Sequence, residues 1–302
     1  MSKLIFPQFK KISMHDMPVF EKYLSKFPPY SDFNFVSLWS WNIEESIKFS
    51  FLNENLVIQL KDYKNENPIL TFIGFNKIRD TIKTLLQFCE KNNFKKELKL
   101  LPEINFNNIN IKKLSDEYRV SEDIDNFDYV LNVSSIASMK GRKLKHKRKL
   151  LNKFLKNYDD QIQVEYIKPR NTNHFIRLYH SWSKNKQENE LNRNELKAIK
   201  RLLEQSKNFN IIAQIVYIKD IIVGFTLFEE VSTKWALSSF QKGNTSHQGI
   251  YEFLNNNLSK YLNQKGIGLL NIEQDLGVPG LRRAKKDYNP SFLKKYSLLE
   301  AN

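Results

Sequence analysis

Apolar and polar positions along this chain follow two rhythms that trade places in a repeated order. Runs at 47–51, 55–60 and 68–74 have the β-branched, aromatic and alternating character of strands. From Lys77 onward Ile78, Ile82, Leu85 and Cys89 form the stripe of an amphipathic helix. Ahead of these lie a strand over 4–12 and a helix with Asp16 near its start and Phe20, Tyr23 and Leu24 on one side. A second helix over 30–42 has aromatics, Trp39 and Trp41 among them, that belong to a core, while Asp32 and Asn34 are polar in that aromatic setting and are candidates for substrate contact. Strands near 98–101 and 127–132 complete this first pass.

The order then begins again. A strand over 162–167 precedes a helix capped by Asn171 or Thr172, with Phe175, Leu178, Tyr179 and Trp182 inward. Another helix from Asn194 turns Leu196, Ile199 and Leu203 inward. Strands at 211–218, 221–229 and 234–241 lead to a helix from Gly249 that buries Ile250, Phe253, Leu254, Leu258 and Tyr261. A strand over 269–275, a short basic helix and a strand near 292–298 close the pattern. The class is α+β, and the repeated element order predicts a duplicated fold without any sequence-level repeat. The divisions expected are a first domain over 1–138, a basic junction helix over 139–158 and a second domain over 159–302.

Composition adds a charge asymmetry. The 302 residues carry a net charge of +15. Residues 1–139 hold 18 basic and 18 acidic side chains, whereas residues 140–302 hold 30 and 15. The second half therefore expects an anionic partner: RNA, an anionic lipid surface or a nucleotide-bearing co-substrate. A single cysteine, Cys89, excludes a disulfide framework and a thiolate metal site, and the five histidines have no metal-ligand spacing. No apolar run reaches the roughly 18 residues that span a bilayer, so a soluble cytoplasmic protein with no transmembrane segment is expected.

Two stretches concentrate candidate chemistry. In 271–290, a strand reading places Asn271, Glu273 and Asp275 on one face. Gly277 suits a tight turn, Pro279 suits a helix start, and Arg282, Arg283, Lys285 and Lys286 follow on that helix. Between the two passes, nine Lys or Arg and no acid fall between Lys140 and Lys156, with Leu144, Leu150, Leu151, Phe154, Leu155 and Tyr158 at helical spacing. That describes a helix with one packed side and one strongly positive side, suited to phosphates.

These segments, with YSDFNFVSLWSWN at 30–42 and SSFQKGNTSHQGIYEFLNNNL at 238–258, resemble the family of phosphatidylglycerol lysyltransferase C-terminal domains. The central match is FDYVLNVSSIASMKGRKLKHKRKLLNKF at 127–154, and the last is NIEQDLGVPGLRRAKKDYNPSFLKKY at 271–296. That family includes many stand-alone bacterial members. The resemblance implies two tandem acyl-CoA N-acyltransferase (GNAT-like) domains, each a mixed, mostly antiparallel sheet flanked by helices, similar to Fem-type aminoacyltransferases. It also implies an aminoacyl-tRNA donor, or acyl-CoA, as co-substrate, an amine or hydroxyl acceptor, and no tightly bound cofactor. Glu273, Asp275, Arg282 and Lys285 match the family pattern, whereas Lys149, Ile272 and Gln274 depart from it.

On this reading Glu273 and Asp275 orient or deprotonate the acceptor, and Lys242 contacts a phosphate or the developing oxyanion. Tyr251 lies near the helix start that follows Lys242. Lys143, Lys147 and Arg148 hold donor phosphates, and Asn271, Arg282 and Lys285 line the substrate. No Ser-His-Asp or Cys-His signature is present, so direct attack is expected. The absence of a clear Gly-rich phosphate loop favours aminoacyl-tRNA over coenzyme A. The alternative is a non-catalytic module that binds RNA or the periphery of an anionic membrane.

Overall fold

A computed structural model describes residues 4–107, 109, 111–169, 172–183 and 190–300. In chain order the elements are β1 (Lys10–Lys11), α1 (Met17–Leu24), α2 (Phe35–Trp41), β2 (Lys48–Leu52), β3 (Asn55–Lys61), β4 (Pro68–Ile73), α3 (Ile78–Lys91), β5 (Glu97–Pro102), α4 (Ile111–Leu114), β6 (Tyr118–Glu122), β7 (Asp128–Asn132) and α5 (Val133–Ser138). They continue with α6 (Lys145–Tyr158), β8 (Ile162–Ile167), α7 (Thr172–Ser183), α8 (Glu190–Glu204), β9 (Ile211–Ile218), β10 (Ile221–Glu230), β11 (Trp235–Gly243), α9 (Ile250–Gln264), β12 (Leu269–Asn271), α10 (Pro279–Lys286), β13 (Ser291–Leu293) and β14 (Lys295–Glu300).

Two seven-stranded sheets result. The first runs β1-β2-β3-β4-β5-β14-β6, and the second, from its other edge, runs β8-β9-β10-β11-β12-β7-β13. The two orders correspond strand for strand. In each, three antiparallel strands lead through a helix to a parallel neighbour: β4 beside β5, and β11 beside β12. The sixth place in each sheet is filled from outside the corresponding pass. β7, which follows β6, joins the second sheet, and β14, which follows β13, joins the first.

The compact units consequently divide the chain differently from the contiguous spans expected. One holds residues up to Asp128, Gln274–Gly277 and the segment from Phe292, and the other holds Tyr129–Glu273 and Val278–Ser291. The basic helix α6 belongs to the second unit rather than standing as a junction. Sequence order cannot show this exchange, because β7 and β14 have the same alternating pattern whichever sheet receives them.

Each core follows from its stripes. In the first unit α3 lays Ile78, Ile82, Leu85, Leu86 and Cys89 against Val57, Leu70, Phe72 and Leu98 of the sheet. In the second, α9 buries Ile250, Leu254, Leu258 and Leu262 with Leu151 and Phe154 of α6. α6 approaches α9 so closely that a side-chain carbon on Gly249 would lie 2.4 Å from the Leu150 carbonyl oxygen. Gly249 also has φ +94°, so glycine is required there twice over.

The strand expected over 4–12 is confined to Lys10–Lys11, since Pro7 supplies no donor to the ladder. The strand expected over 269–275 stops at Asn271, because Glu273 takes a left-handed conformation with φ +57°. The cap expected at Asn171 lies outside the described residues.

Candidate active site

β11 pairs with β10 along its length but with β12 only where Trp235, Ala236 and Leu237 face Leu269, Leu270 and Asn271. Beyond that point, no strand among the described residues pairs with β11 on its β12 side. The ladder to β10 also slips here. Phe240 faces Leu227 and Ser238 faces Phe228, so Ser239 is an extra, bulged residue. Its buried hydroxyl has no hydrogen-bond partner among the described residues. Past Leu237 the β12 side of β11 thus has no strand partner among the described residues, the kind of edge along which an extended ligand can pair.

The far end of β11 carries Lys242. Its ammonium lies 2.7 Å from Glu195 Oε1 on α8 and 4.1 Å from the Trp182 ring centroid on α7. The Tyr179 hydroxyl donates to Glu195 Oε2 at 3.2 Å, and burial, with Glu195 adding, pushes that phenol well above its usual range. Tyr251, in the first turn of α9, accepts hydrogen bonds from the Gly243 amide and the Trp182 indole, although its burial still raises its pKa. Lys242 and Tyr251, both expected from sequence, therefore meet here. Glu195, Trp182 and Tyr179 complete the cluster. Glu195 had a readable signal: it shares the α8 stripe of Ala198, Ile199 and Leu202, and an acid on a buried stripe needs a cation. The bulge at Ser239 had none.

At the end of β12 the expected single face of three polar groups does not form. Asn271 is fully buried, and its Oδ1 accepts from the Glu273 amide at 2.7 Å, shaping the left-handed turn. Lys285, reaching back from α10, donates to the carbonyls of Ile272 at 2.6 Å and Glu273 at 3.1 Å. It thus clamps the turn through its backbone, with its ammonium 5.7 Å from the Tyr129 ring centroid. Glu273 is half-buried at this turn, and Arg282 is half-buried on α10. Asp275 is fully buried in the first unit, where its Oδ1 accepts from the Gly277 amide at 2.8 Å. Its place is an Asx turn, not a face shared with Glu273. Ile272 packs against the second core, while Gln274 donates to Asp32 at 3.3 Å within the first unit.

The basic segment also sorts differently from expectation. Lys147 is buried, 3.0 Å from Glu252 Oε1 and 4.3 Å from the Tyr288 ring centroid, so it is committed to the core. Arg148 donates through Nη1 to the carbonyls of Met139 at 2.6 Å and Gly141 at 3.1 Å, capping the turn after α5. Of the three cations expected to hold phosphates, only Lys143 is exposed. A regular run of cations hides the one that faces inward, because periodicity marks it only through its neighbours Leu151 and Phe154.

Asp32 and Asn34 are likewise structural. Asn34 caps α2 by accepting from Ser37 N at 2.8 Å. Asp32 is fully buried and paired with Lys295, itself fully buried and 2.8 Å from Asp128 Oδ1. Ser31 donates to Asp128 through both its amide and its hydroxyl, and Tyr63 donates to Asp32. Burial, with the Asp128 charge adding, raises the Asp32 carboxyl above its usual range. Burial also works against the Lys295 charge, but Asp128 and Asp32 overcome it and hold that ammonium above its usual value.

Two sheets with the same strand order, each with one parallel pair, make a duplicated α+β fold, and comparison with known proteins shows its family. The chain belongs to the family "Phosphatidylglycerol lysyltransferase, C-terminal", matched over residues 26–299. It is similar to a conserved protein of unknown function from Bacteroides thetaiotaomicron, with TM-score 0.84 and 23% identity, covering 97% of this chain and 99% of that one. L-PGS from Bacillus licheniformis is similar at TM-score 0.61 and 13% identity, over 100% and 94% of the two chains. A tandem GNAT protein from the clavulanic acid biosynthesis pathway follows at TM-score 0.52 and 10% identity, over 98% of each. These likenesses establish the fold as two GNAT-like domains. The match to an uncharacterized protein from Mycoplasmoides gallisepticum, 24% identical over 193 residues, covers 63% of this chain and 60% of that relative's length. Family and fold point to acyl or aminoacyl transfer. Among the described residues no helix is long and apolar enough to cross a membrane.

Proposed function

We propose that this chain is an aminoacyltransferase that moves an amino acid from aminoacyl-tRNA to an amine or hydroxyl acceptor by direct attack. The observation that carries the reading is the splay of β11 from β12 with its bulge at Ser239. An ester carbonyl laid along the open edge of β11 meets backbone amides, which stabilise the oxyanion as the acceptor attacks. Glu273, held in its left-handed turn by Asn271 and Lys285, takes the acceptor proton and returns it to the ribose oxygen of the tRNA as the ester bond breaks. Lys242, fixed by Glu195 and Trp182, adds positive charge at the other end of the same strand. Asp275, buried in its own turn, takes no part.

The start of α9 supports tRNA over coenzyme A as the donor. A helix start attracts a pyrophosphate when its first amides are open. Here the Leu150 carbonyl oxygen lies against Gly249, the residue that precedes the helix, and the first turn is packed around the buried Lys147–Glu252 pair.

The test is mass spectrometry of products after incubating the protein with charged tRNA pools, acyl-CoAs and cell extract. A new amide or ester that requires charged tRNA is the expected result. A product that forms with acyl-CoA alone, or none from either donor, overturns the reading.

A further inference from the structure

The last turn of α10 reaches both strands of the splayed pair. Lys285 holds the β12 side by donating to the Ile272 and Glu273 carbonyls. The turn then continues past Lys286, and the Tyr288 amide donates to the Lys285 carbonyl at 3.1 Å. Tyr288 is buried, and its hydroxyl donates to the Tyr251 carbonyl at 3.4 Å and accepts from Asn255 Nδ2 at 3.2 Å. Burial, with Glu252 adding, holds that phenol well above its ordinary value, so it stays a donor at neutral pH. Asn255 Nδ2 also lies 2.9 Å from the Tyr251 carbonyl oxygen and 3.2 Å from Gln241 Oε1. Gln241, on β11 just before Lys242 and beyond the last pair with β12, donates in turn to Thr226 Oγ1 at 3.1 Å. A buried polar chain within the second unit therefore leads from the end of α10 to the length of β11 that β12 leaves unpaired.

We propose that Tyr288 is a positioning residue: with Lys285 it makes the last turn of α10 a brace that fixes Glu273 relative to the open edge of β11, a role that rests on the transfer reading above. The two strands part after Leu237 and Asn271, so no ladder hydrogen bond among the described residues sets the spacing beyond them. Lys285 and Tyr288 stand three residues apart on one helical turn, hence on the same side of it, and what loosens one loosens the other. Proton removal by Glu273 and oxyanion stabilisation along β11 act on one reacting centre, where a misplacement of about 1 Å can cost about 10²-fold in rate. The brace acts through the backbone of the Glu273 turn and needs no contact with substrate.

The test compares Tyr288→Phe with Tyr166→Phe in the full chain. The first keeps the buried ring beneath the Lys147 ammonium and leaves Asn255 its bonds to Gln241 and Tyr251. The second removes a hydroxyl that donates to Asn257 at 2.7 Å and accepts from Gln214 at 3.1 Å, in the same core but on β8, at the far edge of the sheet. Amide hydrogen exchange is read first. Tyr288→Phe is expected to speed exchange of the Ile272 and Glu273 amides about tenfold, and Tyr166→Phe to leave them unchanged. Transfer from charged tRNA, with cell extract as the source of acceptor, is read second. Tyr288→Phe is expected to lower kcat about tenfold at constant KM for charged tRNA. Adding Lys285→Met to it should cost no more than the larger single loss, because both break one brace. Unaltered exchange at the Glu273 turn overturns the brace whether or not transfer occurs. So do an unaltered kcat, an equal response to Tyr166→Phe, or rate losses that simply multiply in the double variant. A wild-type chain whose turn responds as expected but which transfers nothing sinks the transfer reading alone.

Discussion

The two parallel strand pairs, β4 with β5 and β11 with β12, share one design and put it to different uses. Each holds a short parallel contact, Leu70 with Leu98 in the first and Leu237 with Asn271 at the end of the second. Two residues further on, each incoming strand takes a left-handed turn, at Leu100 with φ +56° and at Glu273 with φ +57°. In the first unit the turn is sealed. Thr71 donates to the Leu100 carbonyl at 3.1 Å, Lys99 pairs with Asp62, and the strand runs on to pair with β14. In the second the turn carries a half-buried carboxylate beside an open, bulged strand. The same backbone device is thus a joint in one copy and, in the function proposed above, a mouth in the other. Side chains at a few positions decide which.

If that contrast is sound, damage to the first copy will appear as lost stability and damage to the second as lost chemistry. The largest expected effect is from Asp128→Ala, which leaves the buried Lys295 ammonium with Asp32 as its one carboxylate partner and removes the acceptor of the Ser31 amide. We expect a loss of about 3–5 kcal/mol of unfolding free energy, read from denaturant titration, with transfer per folded molecule unchanged. A variant that folds normally but transfers slowly would erase the distinction.

Next comes Glu273→Gln. Removing a proton acceptor is expected to slow transfer about 10²- to 10⁴-fold at constant thermal stability, measured by product formation and melting on the same preparation. Lys285→Met sharpens the point, since it acts on the carbonyls behind Glu273 and not on the substrate. We expect about 1–3 kcal/mol of stability lost from the second unit and a smaller drop in rate, readable as a partial loss of kcat at near-constant KM.

The smallest expected effect is at high pH. Burial pushes the Tyr23 phenol up to about 12, and it donates to the Glu54 and Ile73 carbonyls. A pKa raised on folding stabilises below the unfolded value and is lost as pH climbs through the folded one. For Tyr23 that window runs from about 10 to about 12, and Lys295 has the same sign above its own ordinary 10.5. The first unit should therefore weaken above pH 10, followed by tyrosinate absorbance, and Tyr23→Phe should remove part of that dependence.

The sequence made much of this legible. The stripes of α3 and α9 and the run of strands from Ile211 to Gly243 follow from apolar periodicity alone, because each has one buried face. The resemblance in 271–296 singled out the segment that contains the Glu273 turn. What stayed hidden was a matter of partners. Lys147 reads as one more surface cation until Glu252 and Tyr288 are found around it. Asp275 keeps the spacing of a strand face, yet the left-handed Glu273 breaks the alternation before it arrives. Ser239 is bulged by a slip in pairing that no local preference encodes. Backbone reversals and long-range ion pairs leave no periodic trace, and the candidate site is built from both.

The exchange of β7 and β14 has a consequence for how the molecule comes into being. The strand that sits between β5 and β6 ends at Glu300, so a ribosome that has finished everything up to α10 has still not supplied it. Until then Lys295 is missing from beside Asp32 and Asp128, and two carboxylates wait without their cation. Every segment of the second unit is in hand by Ser291, whereas the first unit must wait for β14 before its sheet closes.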